Sequence, residues 1–157
     1  LPADAAKFRK GQRPGENAFD TKAMPKGARA ELVIRNTIMT GWRSPSQISL
    51  PAALNLKENV NATVTNCVFA DLEVAFRLRG PTSRGGAWVS IERCVIYDAK
   101  VGLRAEDGIE NLKVKRLGFG PKVGRKYHMV AGGVGKGYRN EGEFKAPDIA
   151  EAIRKGF

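Results

Sequence analysis

Apolar residues recur along this chain as a short phrase. In Val64-Thr65-Asn66-Cys67-Val68-Phe69 they stand at the first position, three later and two after that, as Val64, Cys67 and Phe69. Ile91, Cys94 and Ile96 hold the same places in Ile91-Glu92-Arg93-Cys94-Val95-Ile96, at an offset of 27 that also pairs Asp71 with Asp98, Val74 with Val101 and Phe76 with Leu103. Ile34-Arg35-Asn36-Thr37-Ile38-Met39 fits the frame 30 residues upstream, and Val114-Lys115-Arg116-Leu117-Gly118-Phe119 fits it 23 residues downstream. Strand alternation has a period of two, so the gap of three demands a bend between two strands. Asn36 and Asn66 stand at that bend, where a side chain that tolerates unusual backbone angles and bonds locally is useful.

A second, alternating strand follows in each unit: Val74, Phe76, Leu78, then Val101, Leu103, Ala105, and earlier Ala52, Leu54, Leu56. Ala18-Phe19-Asp20-Thr21-Lys22 is an N-terminal copy, and the offsets are 35 (Phe19 to Leu54), 22 (Leu54 to Phe76) and 27 (Phe76 to Leu103). Units this short cannot bury their apolar faces alone and must stack. They are rich in Val and Ile and lack a helical period, which disfavours helical repeats. The pattern predicts an all-β fold, a short right-handed parallel β-helix of about four to five coils with irregular N- and C-terminal extensions. An ordinary β-sandwich is the alternative. Residues 1–16 form the N-terminal extension, 17–120 the repeat, and 121–157 a Gly/Lys-rich loop and tail. Within that tail Pro147–Arg154 predicts a short helix with Ile149 and Ile153 on one face, placed to cap the last coil. Stacking puts Cys67 over Cys94 with both Cβ atoms pointing the same way, so a buried pair of thiols is expected ahead of a disulfide.

Composition narrows the function. At 157 residues and 42% hydrophobic the chain is one domain with a core. No apolar run approaches the roughly 20 residues of a membrane span. The sequence opens on Leu1 without a signal peptide, as a mature product or a piece of something longer would. Two cysteines without CxxC spacing and a single histidine exclude a zinc cluster. His128 in its Lys/Gly-rich loop reads as a solvated side chain. The stretch Ala131–Gly137 imitates a phosphate loop, but Val130 and Gly137 stand where that motif needs Gly and Ser or Thr.

The net charge of +11 points to an anionic partner. The excess divides as +4, +3 and +4 over residues 1–30, 31–120 and 121–157, with no single basic arm, which makes nucleic acid an unfavoured partner. The second strand supplies a sharper candidate. If Phe76 and Leu78 face the core, Arg77 and Arg79 face outward. The repeat then builds one column of Asp20, Asn55, Arg77 and Arg104, and another of Lys22, Lys57, Arg79 and Glu106. That surface is either a solvated charge ladder or a site where an anion, such as a sugar acid's carboxylate, relieves the repulsion between stacked cations.

The run Arg79-Gly80-Pro81-Thr82-Ser83-Arg84-Gly85-Gly86 fits R-x-P-x-x-R-x-G and resembles the signature around the catalytic arginine of pectate lyases, which are parallel β-helix enzymes. Trp88–Tyr97 resembles the strand that follows in those enzymes. Glu16–Lys22 is similar to the N-G-I-D-I-K motif of polysaccharide-degrading β-helices. The resemblance to this pectin-lyase-like superfamily covers most of residues 16–120. It implies that Arg79 removes the proton α to a uronate carboxylate in a β-elimination, with Lys57 and Lys22 beside it in the catalytic group. Arg84, Arg77, Arg104 and Asn55 would bind substrate. Calcium, which commonly bridges enzyme and uronate in that family, would be held by Asp20, Glu106 and Asp107. Val89 or Ser90 stands where the family has a histidine, and Arg93 and Cys94 replace its paired asparagines. The implied location is secreted or periplasmic. Two functions are therefore expected: a lyase of acidic polysaccharide, or a non-catalytic module or enzyme fragment that binds one. Exposed coil ends favour self-association.

Overall fold

The computed structural model describes residues 15–22, 27–46, 48–81 and 85–155. Its strands, in chain order, are β1 (Asn17–Asp20), β2 (Ala30–Arg35), β3 (Ile38–Thr40), β4 (Ala52–Leu56), β5 (Val60–Thr65), β6 (Val68–Ala70), β7 (Leu72–Arg79), β8 (Trp88–Ile96), β9 (Ala99–Glu106), β10 (Asn111–Phe119), β11 (Val123–Met129), β12 (Arg139–Asn140) and β13 (Glu143–Lys145), followed by helix α1 (Ile149–Lys155). Sheet A runs β1-β4-β7-β9-β11, and sheet B runs β12-β10-β8-β5-β2, with β3 and β6 continuing its edge beyond the bend. Every strand pairing is parallel. The fold is a parallel β-solenoid of about four turns, and the sandwich alternative falls because its sheets would be antiparallel.

The register follows the repeat. Ile34 lies opposite Val64, Val64 opposite Ile91, and Ile91 opposite Val114. In sheet A, Phe19 meets Leu54, Leu54 meets Phe76, and Phe76 meets Leu103. These columns fill the interior, where Leu54, Val64, Phe76, Ile91, Leu103 and Val114 are all fully buried. Phe69 and Phe76 meet across it with ring centroids 4.6 Å apart.

One left-handed residue per coil makes the first bend: Asn36 (φ 52), Asn66 (φ 54), Arg93 (φ 50) and Arg116 (φ 52). Asn66 Nδ2 donates to Asn36 Oδ1 at 3.3 Å, so the two amides stack as the coils do. A second bend repeats at Asp71 (φ 53) and Asp98 (φ 44). Arg43 ties its coils together, donating to Leu72 O at 3.1 Å and to Asp98 O and Oδ1 at 2.7 and 2.8 Å. Cys67 and Cys94 are free and buried, as expected. The hydrogen bond to Cys67 and burial push the Cys94 thiol up.

Two features of the C-terminal region differ from expectation. The sheets do not stop at residue 120: β11 is a further rung of sheet A, with Tyr127 opposite Leu103 and His128 opposite Arg104. Pairing with β9 satisfies one edge of its backbone, and Arg125, opposite Val101, is the polar residue that interrupts its core-facing row of Val123, Tyr127 and Met129. The helix forms where expected, and Asp148 Oδ1 caps it by accepting from Ala150 N at 2.8 Å. It docks by a different face, however. Ile149 and Ile153 are exposed, while Ala152 is buried against Val68, Val95 and Tyr97 on the flank of the solenoid. Tyr97 Oη donates to Pro147 O at 2.6 Å and fixes the approach, which is close enough to select the smallest side chain.

Candidate functional site

The outer face of sheet A carries the column read from the sequence. Asp20 lies opposite Asn55, Asn55 opposite Arg77, and Arg77 opposite Arg104. The neighbouring column sets Arg79 opposite Glu106. Lys22 and Lys57 follow the ends of β1 and β4 and reach the same surface through Asp20. Gly80 closes this edge because the chain passes against the next turn; a Cβ there would lie 2.0 Å from Asp107 O.

Two ion clusters result. In the first, Lys22 Nζ is 2.6 Å from Asp20 Oδ2, Lys57 Nζ is 3.3 Å from Asp20 Oδ1, and Asn55 Nδ2 donates to Asp20 Oδ1 at 3.0 Å. In the second, Glu106 is only 7% exposed and gathers three guanidiniums. Arg77 donates to it at 3.0 and 3.3 Å, Arg104 Nε contacts Oε1, and Arg79 Nε is 3.6 Å from Oε2. Arg79 Nε also donates to Asp107 Oδ2 at 2.9 Å. The stacked cations are thus relieved by the protein's own carboxylates and need no bound anion to be stable.

Protonation follows from these contacts. Burial alone would raise the Glu106 pKa, but hydrogen bonds from Arg77 and Arg104, with their charge, hold it below the ordinary carboxylate value. Asp20 is lowered in the same way: burial opposes the shift, and Lys22 and Lys57 overcome it. Asp20 in turn raises Lys22. Asn55 is buried, and its Oδ1 has no hydrogen-bond partner.

The donor set does not fit calcium. Asp20 is committed to two lysines, Glu106 to three arginines and Asp107 to Arg79, so a hard cation would compete with fixed guanidinium and ammonium groups. Among the described residues no group of three or more His, Cys, Asp and Glu side chains could hold a metal. Arg84, the second arginine of the R-x-P-x-x-R-x-G motif, lies outside the described residues.

His128 extends the column by one rung, and sequence reasoning missed it because β11 lacks the apolar phrase. Arg104 Nη1 is 2.9 Å from His128 Nδ1. A guanidinium only donates, so Nδ1 accepts and the neutral ring carries its proton on Nε2. Desolvation and the charges of Arg104 and Arg125 lower the His128 pKa, which favours that neutral form. Extending the second-strand register by one coil from Arg104 would have found it.

The class that fold and surface define is a parallel β-solenoid with a charge-laddered sheet. Comparison with known proteins gives no matching family, no matching curated protein and no matching solved structure. Among the described residues no helix is long and apolar enough to cross a membrane.

Proposed function

We propose that this chain is a non-catalytic β-solenoid module that binds anionic polysaccharide through the outer face of sheet A. The observation that carries this reading is the gathering of Arg77, Arg79 and Arg104 on the buried carboxylate of Glu106. One carboxylate cannot use all the N–H donors of three guanidiniums. The cluster is therefore built in advance to present fixed donors to a further carboxylate, at no cost of ordering flexible side chains on binding. Lys57 and Lys22 extend the surface along the solenoid axis. A secreted or periplasmic location fits such a partner, and the R-x-P-x-x-R-x-G run supports kinship with pectin-lyase-like β-helices.

Catalysis is the weaker reading because the face supplies no base. Taking the α-proton needs a base with a lone pair free to accept it, and the carboxylates of this face already accept from its cations. Asp107 accepts from Arg79, Asp20 is held by Lys22 and Lys57, and Glu106 by Arg77 and Arg104. His128 keeps its acceptor nitrogen on Arg104. The motif at Arg79 alone keeps the lyase reading in view.

The test mixes the folded chain with pectate, alginate and other polyuronates and follows both calorimetric binding and the ultraviolet absorbance of an unsaturated uronate product. Binding without product is expected, weakened several-fold in Arg79→Ala and by added salt. Product formation abolished in Arg79→Ala would make the chain a lyase. Tight binding of nucleic acid without sugar selectivity would remove the polysaccharide assignment.

A further inference from the structure

The outer face of sheet B carries a different arrangement. Its register sets Asn61 opposite Trp88 and Trp88 opposite Asn111. The adjacent row is Thr63, Ser90, Lys113 and Arg139. Between the rows lies a groove of about 160 Å³ lined by Asn61, Trp88, Val89, Ser90, Asn111 and Lys113. Trp88 is 45% exposed, whereas Phe69 and Phe76 are fully buried.

The indole is held in place before any ligand arrives. The Arg29 guanidinium lies 4.0 Å from its ring centroid, a favourable cation–π contact. Arg29 is itself fixed by donating to Val60 O at 3.0 Å and Gly86 O at 2.7 Å. A large flat side chain with its position set, flanked one strand away on each side by an amide, is a preformed apolar platform with a polar rim.

We infer that this groove is a subsite for one acidic sugar unit, its ring against Trp88 and its carboxylate directed to Lys113. A pyranose presents an apolar C–H face to the indole and hydroxyls at its rim. The Asn111 amide both donates and accepts, and Asn61 Oδ1 accepts, which suits hydroxyls. The charge along the groove is polarised. At one end Glu31 accepts from Asn61 Nδ2 at 2.9 Å through both carboxylate oxygens. At the other, Lys113 and Arg139 lie in register, and among the described residues neither pairs with a carboxylate. An anionic ligand is thereby repelled from the Glu31 end and attracted to the Lys113 end. The ligand class rests on the polysaccharide reading above, but the subsite uses no residue of sheet A.

Calorimetric titration of the full chain with oligogalacturonides and with neutral oligosaccharides of equal length tests this. Trp88→Ala is expected to weaken binding of the acidic oligomer about tenfold. Trp88→Phe, which keeps a stacking ring, is expected to retain most of it and so to separate lost contact from lost fold. Lys113→Ala is expected to bring the acidic oligomer down to the affinity of the neutral one. Wild-type affinity in both Trp88→Ala and Lys113→Ala overturns the subsite. If Arg79→Ala alone loses binding, the subsite fails and the sheet A reading stands. If only the Trp88 and Lys113 variants lose it, the subsite stands and the sheet A reading fails. Loss of oligonucleotide binding in the same variants, without any sugar binding, overturns the saccharide assignment. A folded wild-type chain that binds no oligomer overturns both.

Discussion

Glu106 is the residue on which the face of sheet A turns. Its carboxylate is buried and stands among Arg77, Arg79 and Arg104. Removing one partner of such a cluster leaves uncompensated charge in a poorly hydrated place, at about 3–5 kcal/mol for a fully buried pair. The arginines here are partly exposed, so Glu106→Gln is expected to cost less than that, about 2–3 kcal/mol in urea unfolding. The sign of the pH dependence follows from the lowered folded-state pKa. Stability from Glu106 is fully present above the ordinary value of 4.5 and is lost as pH falls through the lower folded value. Asp20 adds a contribution of the same sign below its ordinary value of 3.8. The wild-type chain should therefore lose stability on acidification below about pH 4.5, and Glu106→Gln should flatten that loss. A Glu106→Gln variant with wild-type stability and an unchanged acid profile would show that the guanidiniums do not depend on this carboxylate. At this level the sequence was half legible. Asn36 and Asn66 announced the left-handed bend by residue type, whereas Arg93 and Arg116 adopt the same backbone without any such cue. The outward columns were readable from period two, but which carboxylate neutralises which cation depends on reach across strands, and that is not written in spacing.

The strands were legible wherever an apolar phrase repeats, because an interior column imposes the same residue class at the same offset in every coil. Elements at the end of the stack escape this. Among the described residues β11 has a neighbour on one side only, in β9, so just one of its flanks must match a column. Its Arg125 stands opposite Val101 and interrupts the core-facing row, and with the strand went the histidine beside Arg104. The helix shows a related failure. Helical periodicity selects the most apolar face, Ile149 and Ile153, but the close approach fixed by Tyr97 and Pro147 selects the smallest residue, Ala152. Ala152→Leu should therefore overpack the contact with Val68 and Val95 and destabilise the helix docking by about 1–3 kcal/mol. Faster limited proteolysis around residues 145–155, with the sheet signal in circular dichroism unchanged, is the expected readout. Proteolysis at the wild-type rate would mean that the helix is not anchored through Ala152.

Across the whole molecule, the net charge and the stability are distributed differently. Lys22, Lys57, Arg77, Arg79 and Arg104 are matched by Asp20, Glu106 and Asp107, while Lys113, Lys122, Arg125 and Lys136 pair with no carboxylate among the described residues. The overall charge pointed to an anionic partner without saying which face would meet it, since that depends on pairing. Stability follows the stacking. In a solenoid each coil contacts only its neighbours, so a rung with two neighbours is held by two interfaces and an end rung by one. β7 lies between β4 and β9, and β8 between β5 and β10, whereas among the described residues β1 pairs only with β4 and β11 only with β9. The end strands also cover less: Phe19 on β1 is 42% exposed and Met129 on β11 is 36% exposed, while Phe76 on β7 is fully buried. Native-state hydrogen exchange should accordingly be slowest in β5, β7, β8 and β9, faster in β1 and β11, and fastest in the short strands β12 and β13. A gradient from the centre outward is the signature of coils that open in sequence from the ends. Equal protection in β1, β7 and β11 would instead require opening as one unit, with the end rungs held by contacts other than their single neighbouring strand.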